Sequence, residues 1–509
     1  MQIQYTEEFM IASQLFDGIE VNRIPDLAFT GIASDSRRVR PGDLFIAIRG
    51  SRFDGHNFIR DALDRGAAGV LAEHEVYGFD DLILTPSTRA AESVLWYNFT
   101  GRPTDRMTKI AVTGTAGKTS CAFILRHILR AAGHKVGAVT TVRTMANDDT
   151  LDLGDNGGSS VSDISGAMTT PDPEYFFGAA LQLKEAGCDT IIYEASSQAL
   201  AMEKLVPIEP DMALFTNLSP EHLDYHHEME SYFRSKAALM AHAKHAVINA
   251  DDEWMKKLPA MYPDVPVTRC SVNDNTMDVR GAKIRQSGGH VHYIYLSHGA
   301  VLRIDAPMPG IYSVYNTMMC AAAAAELGVD PVIIRDSLSD FGGVEGRLNR
   351  VRFPNSVQGS LPAVYIDYAH TPDSLRAALT ALRTEAGGRL TVLFGCGGDR
   401  DKAKRPLMAK TAQELADMTV ITGDNPRGEN PGAIIADILA GVSENAPVKV
   451  IPDRREAIRW AVMNAGPGDT VLLAGKGHEK YEITSDGKHP FHEEAIVREA
   501  ADEKIRLSE

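Results

Sequence analysis

Short apolar runs rich in β-branched residues alternate with longer amphipathic stretches along most of the chain. In the middle of the sequence the apolar runs lie at residues 110–112, 190–193, 214–216 and 246–248, and the first leads into an amphipathic stretch at 121–132. The alternation returns at residues 363–366, 390–394, 418–422 and 470–473. This pattern is typical of βα units that feed mainly parallel sheets, so we predict an α/β fold.

Two glycine-containing breaks divide this pattern. One, at residues 101–104, precedes the clearest strand–loop–helix sequence, and the other, at 341–346, separates two blocks of alternating runs. With 509 residues, the chain is too long for one core at about 100–200 residues per domain. We predict three domains, at residues 1–106, 107–345 and 346–509.

The charge balance excludes broad classes of partner. Lys and Arg number 52 against 68 Asp and Glu, which gives a formal net charge of −16. Such a surface repels phosphate backbones and anionic lipids unless its positive charge is locally concentrated. We therefore expect small-molecule substrates, no nucleic acid partner and no membrane insertion.

Cysteine usage and the N-terminus point to the cytoplasm. The cysteines are few, scattered and odd in number, without a CxxC pair, which favours buried reduced thiols: Cys121, Cys188, Cys270, Cys320 and Cys396. Residues 1–15 lack a basic segment followed by an apolar core. The longest small-apolar run, at 320–325, is well short of the ~20 residues of a membrane span. We expect a cytoplasmic monomer.

A glycine-rich loop between a strand and a helix is the strongest local signal. The loop consists of Gly114, Thr115, Ala116, Gly117, Lys118, Thr119 and Ser120. Glycines let backbone N–H groups close around phosphates, while Lys118 can reach the β- and γ-phosphates and Thr119 can bind Mg²⁺. Val112 stands where a strict GxxxxGK[ST] motif has its first glycine. A plain turn is the alternative, but the position between strand and helix favours phosphate binding.

Acidic and imidazole side chains follow in the same predicted domain. Glu194 ends a predicted strand, and His222 lies in a polar run at residues 218–226. Mg²⁺ needs few protein oxygens when phosphates and waters supply the rest, so Glu194 and Thr119 would suffice. Taken singly, Glu194 fits a structural carboxylate and His222 a loop histidine equally well. Lys236 lies on an amphipathic stretch, and from pattern alone it is a solvated lysine.

Four polar loops follow apolar strands in the last third of the chain, at residues 367–372, 394–400, 424–427 and 475–479. Ligands of open parallel sheets bind at the carboxyl ends of the strands, so we expect these loops to share one site. Each loop alone also fits ordinary turn chemistry, since Asp-Asn-Pro and Gly-Gly-Asp are good turn sequences.

Together, these motifs resemble those of the Mur ligases, and among them the UDP-N-acetylmuramoyl-tripeptide synthetases of the MurE type. The resemblance covers nearly the whole chain. It rests on the motifs at residues 35–45, 54–58, 114–119, 169–172, 194–197 and 217–226, on Asn316, on Gly346-Arg347 and on the four C-terminal loops.

The resemblance implies a three-domain Mur ligase architecture. An N-terminal domain would bind the UDP-linked acceptor, a central P-loop-type domain would bind ATP, and a C-terminal Rossmann-like domain would bind the amino acid. It implies an ADP-forming ligase that uses ATP as co-substrate and Mg²⁺ as cofactor. The acceptor carboxylate would attack the γ-phosphate to give an acyl phosphate, which the amine then attacks to form an amide. Such chemistry is mostly positioning and charge neutralisation.

The resemblance also implies roles for individual residues. The implied catalytic residues are Lys118, Glu194, His222 and Lys236. The implied metal ligands are Thr119, Glu194, His222 and Lys236, the last as a carbamate formed with CO₂, which reverses its interpretation as a solvated lysine. Around ATP, the loop 114–120 is joined by Asn316, Arg347, Asp367 and His370. The implied acceptor contacts are Ser36, His56, Thr169, Thr170, Ser196 and Lys204.

The loop at residues 424–427 resembles the form that recognises meso-diaminopimelate. The guanidinium of Arg427 can bind the distal carboxylate of diaminopimelate with two hydrogen bonds, whereas lysine offers no such carboxylate. Arg400, Asp424, Asn425, Gly475 and Glu479 would complete the pocket, and Glu479 would meet the distal ammonium.

The sequence departs from the family pattern where the muramoyl dipeptide is held. Met168, Gln198, Met202 and Lys204 replace an Asn, a His, a Gln and an Arg of the family, and Ala116 replaces an Asn of the glycine-rich loop. Each hydrogen bond lost to methionine is worth about 1 kcal/mol or more.

Three hypotheses about function remain open. The first is a cell-wall enzyme that adds meso-diaminopimelate to UDP-N-acetylmuramoyl-L-alanyl-D-glutamate in peptidoglycan precursor synthesis. The second is a similar ATP-dependent amino-acid ligase recruited to another pathway with a different carboxylate acceptor. The third is a catalytically silent binding or scaffold protein, which the intact set of implied catalytic residues opposes.

Overall fold

Three larger sheets follow one another along residues 9–50, 53–147, 169–354 and 359–508, the parts of the chain that the computed structural model describes. The predicted α/β fold with a mainly parallel central sheet is confirmed. The predicted domain edges near residues 106 and 345 fall between the sheets and stay predictions. Met168 lies outside the described residues.

The first sheet is parallel, with the strand order β3-β4-β5-β6, and the antiparallel pair β1–β2 precedes it. Its elements are β1 (Met10–Ile11), α1 (Ala12–Leu15), β2 (Ala28–Phe29), β3 (Gly31–Ala33), β4 (Asp43–Ile46), α2 (Ile59–Asp64), β5 (Gly69–Ala72), β6 (Ile83–Leu84) and α3 (Thr88–Phe99). Tyr97 of α3 packs on Phe177 of the next domain, with ring centroids 5.3 Å apart. This aromatic contact joins the two cores.

The central sheet has ten strands in the described residues, in the order β16-β15-β14-β13-β12-β11-β7-β10-β8-β9. The strands are β7 (Thr108–Thr113), β8 (Val136–Val139), β9 (Thr144–Met145), β10 (Thr190–Glu194), β11 (Met212–Phe215), β12 (Ala246–Asn249), β13 (Val267–Ser271), β14 (Val279–Ser287), β15 (His290–Leu296) and β16 (Val301–Ala306). The helices are α4 (Lys118–Ala131), α5 (Pro173–Glu185), α6 (Ser197–Ala201), α7 (Leu223–His226), α8 (Met229–Ala237), α9 (Leu258–Met261), α10 (Ile311–Glu326) and α11 (Pro331–Asp340).

Pairing in this sheet changes from parallel to antiparallel at both ends. All neighbours from β8 to β14 are parallel, whereas β8–β9, β14–β15 and β15–β16 are antiparallel. The sequence pattern predicted β7, β10, β11 and β12 but not the β14–β16 arm. Along β15, buried positions alternate with partly exposed ones, as expected of an antiparallel strand with one covered face.

The C-terminal sheet has the order β17-β18-β22-β19-β20-β21 and is parallel except at β17. Its elements are β17 (Asn349–Arg350), β18 (Ala363–Asp367), α12 (Pro372–Arg383), β19 (Leu390–Phe394), α13 (Lys404–Leu415), β20 (Met418–Ile421), α14 (Pro431–Leu439), β21 (Val448–Val450), α15 (Arg454–Asn464), β22 (Thr470–Ala474), β23 (Tyr481–Thr484), β24 (Gly487–Pro490) and α16 (Glu493–Ser508). Leu472 joins the core under α12–α14, whereas its neighbour Leu473 joins the core under α15 and α16. Helices therefore cover both faces, as in a doubly wound fold.

Two further expectations concern the cysteines and membrane-spanning helices. All five cysteines fall within the described residues, and each is buried with a free thiol. None of the helices in these ranges combines the length and the apolar character needed to cross a bilayer.

Candidate active site

A cavity of about 1630 Å³ lies between the loops that leave the central sheet and those that leave the C-terminal sheet. Because β7, β10 and β11 are neighbours in the sheet, the loops after them meet at one edge. The predicted site residues line this cavity, except for Gly114, Ser36 and His56. The structure thus brings most of the predicted ATP and amino-acid residues, and the predicted acceptor residues of the central domain, to one continuous space.

The glycine-rich loop needs its glycines for close packing. Gly114 and Gly117 have φ angles of 144° and 88°, in the region that side chains rarely adopt. A Cβ on Gly114 would overlap Thr216 Oγ1, and one on Gly117 would lie 2.7 Å from Asn316 Oδ1. The Asn217 side chain accepts a hydrogen bond from the Ala116 N–H at 2.9 Å, which further fixes the loop.

Lys118, the first residue of α4, folds back over this loop. Its Nζ donates to the carbonyls of Gly114 and Thr115, both at 2.8 Å. Burial lowers the pKa of Lys118, and the carboxylates of Glu221 and Glu194 partly offset that effect. The ammonium is therefore held at the mouth of the loop, where a phosphate would bind.

Lys236 lies beside Lys118 in the interior. Its side chain is on α8, only 2% of the residue is exposed, and its Nζ donates to the same Gly114 carbonyl at 2.8 Å. Burial, and then the positive charge of Lys118, hold the pKa of Lys236 well below its usual value. The interpretation of Lys236 as a solvated lysine is wrong, because the buried face of α8 carries this residue into the core.

The predicted metal ligands Thr119, Glu194, His222 and Lys236 all line this cavity. Glu194, at the end of β10, accepts hydrogen bonds from the N–H and the hydroxyl of Thr141 at 2.8 and 2.9 Å. The Thr119 hydroxyl accepts from Arg347 Nη2 at 3.3 Å. Within the described part of the chain, no three His, Cys, Asp or Glu side chains group closely enough to hold an ion by themselves. A few hard oxygens beside a phosphate site fit Mg²⁺, which takes its other ligands from phosphates and water.

Glu221 is a partly buried carboxylate that the sequence analysis did not single out. One of its oxygens lies 3.7 Å from His370 Nε2 of the C-terminal domain, and the other lies 3.9 Å from His222 Nε2. Burial acts to raise the pKa of Glu221, but these imidazoles, Lys118 and Lys236 hold it below its usual value. Glu221 is thus the anion that faces both buried lysines, and it joins two domains across the cavity.

The C-terminal wall of the cavity is built on Asp367. This carboxylate accepts the N–H groups of Leu348 and Ala369 at 2.6 and 2.7 Å, and burial raises its pKa. Arg347 stacks on the Tyr368 ring at 4.8 Å from its centroid. Through Thr119, Arg347 also ties this wall to the glycine-rich loop.

The predicted amino-acid residues form the far end of the cavity. Asn425 Nδ2 donates to Glu479 Oε2 at 2.7 Å, and Arg427 Nη1 donates to the Gly398 carbonyl at 3.0 Å. Arg427 has a φ of 51°, and its backbone N–H donates to Ile483 O at 3.0 Å, which anchors the loop on the β23–β24 hairpin. Burial, and then the neighbouring Asp424, raise the pKa of Glu479.

The predicted acceptor residues divide into two groups. Thr170 Oγ1 accepts from the Ser196 N–H at 2.9 Å and donates to the Glu194 carbonyl at 2.7 Å, so this pair adjoins the metal ligands. Lys204 forms an ion pair with Asp172 at 2.7 Å. Gln198 and Met202 line the cavity beside them.

Ser36 and His56 lie in the N-terminal domain outside the cavity lining. His56 Nε2 accepts the Glu73 N–H at 3.1 Å, so Nδ1 carries the proton that it donates to Asp54 at 2.6 Å. The ring also stacks on His74 with centroids 4.3 Å apart. Both ring nitrogens of His56 are used inside its own domain, and its role at the acceptor stays a prediction.

Comparison with known proteins gives matches along the whole chain. Three family models match, described as "Mur ligase family, catalytic domain" at residues 28–87, "Mur ligase middle domain" at 112–324 and "Mur ligase, glutamate ligase domain" at 346–477. One relative, from Syntrophomonas wolfei, is named UDP-N-acetylmuramoyl-L-alanyl-D-glutamate–2,6-diaminopimelate ligase. It is 37% identical to this chain over 491 residues, and the alignment covers 94% of this chain and 96% of the relative.

Two further relatives carry the same name. One, from Geobacillus thermodenitrificans, is 36% identical over 501 residues, which cover 96% of this chain and 98% of its own. The other is a solved structure that matches with a TM-score of 0.68 and 29% identity, with 97% of this chain and 99% of its own covered.

Proposed function

This chain belongs to the Mur ligase family, and we propose that it is the member that joins 2,6-diaminopimelate to UDP-N-acetylmuramoyl-L-alanyl-D-glutamate at the expense of ATP. The family predicted from the sequence motifs is confirmed. The alternative of a ligase recruited to another pathway is not favoured, because relatives named for this reaction match over nearly the whole chain.

One observation carries the proposal. A single cavity joins the glycine-rich loop of the central sheet to the loops that hold Asn425, Arg427 and Glu479. A ligase that activates a carboxylate with ATP and then traps it with an amine needs the phosphate site and the amine site in one enclosed space. The cavity also reaches Thr170 and Lys204, where the acceptor carboxylate would enter from the N-terminal side.

In the first step, the acceptor carboxylate attacks the γ-phosphorus of ATP, and ADP leaves. The products of this step are an acyl phosphate and ADP. Lys118 binds the β- and γ-phosphates, and the N–H groups of the loop offset the charge that builds up on them. In the second step, the amine attacks the acyl carbon, a tetrahedral intermediate forms, and inorganic phosphate leaves as the amide is completed.

Thr119, Glu194, His222 and Lys236 would hold Mg²⁺, which supplies charge neutralisation at the phosphates. Lys236 would do so as a carbamate. Its amine is buried next to a second lysine, an arrangement that disfavours the ammonium and leaves the neutral amine that reacts with CO₂. The carbamate gives the site a second anionic oxygen ligand from a lysine that is otherwise a poor partner for a cation.

For the amino acid, Arg427 would bind the distal carboxylate of meso-diaminopimelate and Glu479 its distal ammonium. Arg400, Asp424, Asn425 and Gly475 would complete the pocket. Since lysine has no distal carboxylate, the same pocket would bind it without satisfying Arg427.

Phosphate release from ATP tests the proposal directly. We expect turnover only when UDP-N-acetylmuramoyl-L-alanyl-D-glutamate and diaminopimelate are both present, with a product whose mass equals their sum less one water. Turnover with lysine in place of diaminopimelate should be much slower. Turnover that needs a different acceptor carboxylate would contradict the proposal, and so would phosphate release that does not depend on the amino acid. Sedimentation as a single 55.3 kDa chain would support the expected monomer.

A further inference from the structure

Lys476 is a buried lysine to which the proposed mechanism gives no role. It is fully buried, and its Nζ donates to Asn425 Oδ1 at 2.8 Å and to the Tyr481 carbonyl at 3.0 Å. The same Nζ lies 3.3 Å from Asp424 Oδ1. One ammonium thus contacts two side chains of the loop at residues 424–427 and the start of the β23–β24 hairpin.

The backbone around Lys476 explains how it enters the interior. It lies between Gly475 and Gly477, whose φ angles are 114° and 55°. A Cβ on Gly477 would lie 2.7 Å from Tyr368 Cβ, so this position cannot carry a side chain without movement of the cavity wall. The two glycines let the chain reverse so that Gly475 lines the cavity while Lys476 is buried behind it.

The contacts of Lys476 decide which way the Asn425 amide faces. Asn425 Oδ1 lies 2.8 Å from Lys476 Nζ and 3.0 Å from the Ile483 N–H. Both partners are donors only, so the atom between them has to be the amide oxygen. The amide nitrogen is therefore the atom that faces Glu479, to which it donates at 2.7 Å.

The series of contacts from Lys476 through Asn425 to Glu479 ends at the cavity. Glu479 lines it, and one of its carboxylate oxygens is held by Asn425. If the side-chain amide of Asn425 were flipped, its oxygen would face the Glu479 carboxylate, and the two acceptors would repel each other. The orientation of Glu479 toward an incoming ligand thus depends on a donor on the opposite side of Asn425.

We propose that Lys476 is a positioning residue for the amino-acid substrate: by fixing the Asn425 amide, it orients Glu479 to receive the ammonium of the amino acid. The inference deepens the proposed function and rests on its assignment of this end of the cavity. Lys476 itself is buried behind the loop, and among its contacts it is the one with Asn425 that leads to Glu479.

The first test is Lys476→Met, which keeps the volume of the stem and removes the donor. We expect the KM for the amino acid to rise about ten-fold, the scale of losing one oriented charged contact, while the KM values for ATP and the acceptor stay within about two-fold. The matched control is Lys504→Met. Lys504 Nζ donates to the carbonyls of Val462, Met463 and Ala465, outside the cavity lining, so its loss tests for general damage to the same domain.

A double-mutant cycle with Asn425→Ala tests whether the effect of Lys476 depends on Asn425. If Lys476 acts through Asn425, the double variant has the same KM for the amino acid as Asn425→Ala alone. Independent, multiplied effects would overturn the inference, and so would equal rises in all three KM values or an unchanged KM for the amino acid. If Lys476→Met does not fold, Lys476→Gln, which removes the charge but keeps amide donors, replaces it in the cycle, and the KM for the amino acid should then rise less than ten-fold while the other two KM values stay unchanged.

The proposed function and this inference fail in different ways. If the wild-type enzyme does not turn over diaminopimelate, the proposed function fails. The cycle is then run with the amino acid that the enzyme does use, and a rise in its KM alone would still support the positioning role of Lys476.

Discussion

Lys236 and Lys476 are equally hidden from solvent, at 2% and 0% exposed, but the charged groups around them differ. Lys236 lies against a backbone carbonyl that it shares with another lysine, and the Tyr232 ring centroid is 4.7 Å from its Nζ. Lys476 lies against the Asp424 carboxylate and an amide oxygen. Lys236 lies beside the positive charge of Lys118 and only near the Glu221 carboxylate, whereas Lys476 contacts the Asp424 carboxylate directly.

The difference shows that burial alone does not define the role of a buried lysine. A cation next to a cation loses its proton easily, which leaves a nucleophilic amine. A cation next to a carboxylate stays paired and holds its neighbours in place. Burial acts to raise the pKa of Asp424, yet Lys476 and Arg454 hold it below its usual value, as expected of a charged pair. We therefore place chemistry at Lys236 and positioning at Lys476.

The largest expected effect comes from removing the amine at the phosphate end. Lys236→Ala should lower kcat by about 10²–10³-fold, because the site loses an anionic ligand where charge builds up. A short carboxylic acid added to the assay should restore part of the rate. Lys256→Ala, at an exposed lysine paired with Glu253, is the control and should keep full activity. A fully active Lys236→Ala enzyme would refute the carbamate.

Glu221→Gln removes the anion that faces both lysines of the phosphate end. We expect kcat to fall by about 10–100-fold, because the positive charge of Lys118 would no longer be offset and the contact with His370 would be lost. Steady-state kinetics against ATP measures this. Glu230→Gln, at an exposed carboxylate paired with Arg234, controls for the loss of a negative charge nearby. Equal rates for Glu221→Gln and Glu230→Gln would show that Glu221 has no role at the phosphate end.

At the amino-acid end, the expected effect is on binding. Arg427→Ala should raise the KM for diaminopimelate about ten-fold or more, the scale of a lost bidentate pair, and should change kcat little. Arg376→Ala, at an exposed arginine paired with Glu414 in the same domain, should leave both constants unchanged. An unchanged KM for diaminopimelate in Arg427→Ala would show that the loop at 424–427 binds another part of the substrate.

The smallest expected effect lies at the acceptor end. Lys204→Ala should raise the KM for the UDP-linked acceptor about two- to five-fold, because a partly exposed ion pair with Asp172 contributes little more than 1 kcal/mol. Lys204→Arg, which restores the residue type of the family pattern, should stay within about two-fold of the wild type. A larger loss in the Arg variant than in the Ala variant would mean that this position selects against a guanidinium.

The features that could be predicted well from the sequence are local ones. The strands around the glycine-rich loop, and the loop itself, follow from runs of buried residues and from glycines at fixed spacing. The role of Glu221 could not be predicted in this way, because it arises from His370 of another domain. The same holds for Lys476, whose partner Asn425 comes from a different strand end. The helical pattern predicts a solvated Lys236, since the pattern does not show that the glycine-rich loop lies against that face of α8.

¹³C NMR of the enzyme in ¹³C-bicarbonate detects a carbamate at Lys236. We expect one carbamate resonance in the wild-type protein, which is absent from Lys236→Ala and retained in Lys476→Met. A spectrum without this resonance would contradict the account, as would a resonance that survives in Lys236→Ala or disappears in Lys476→Met.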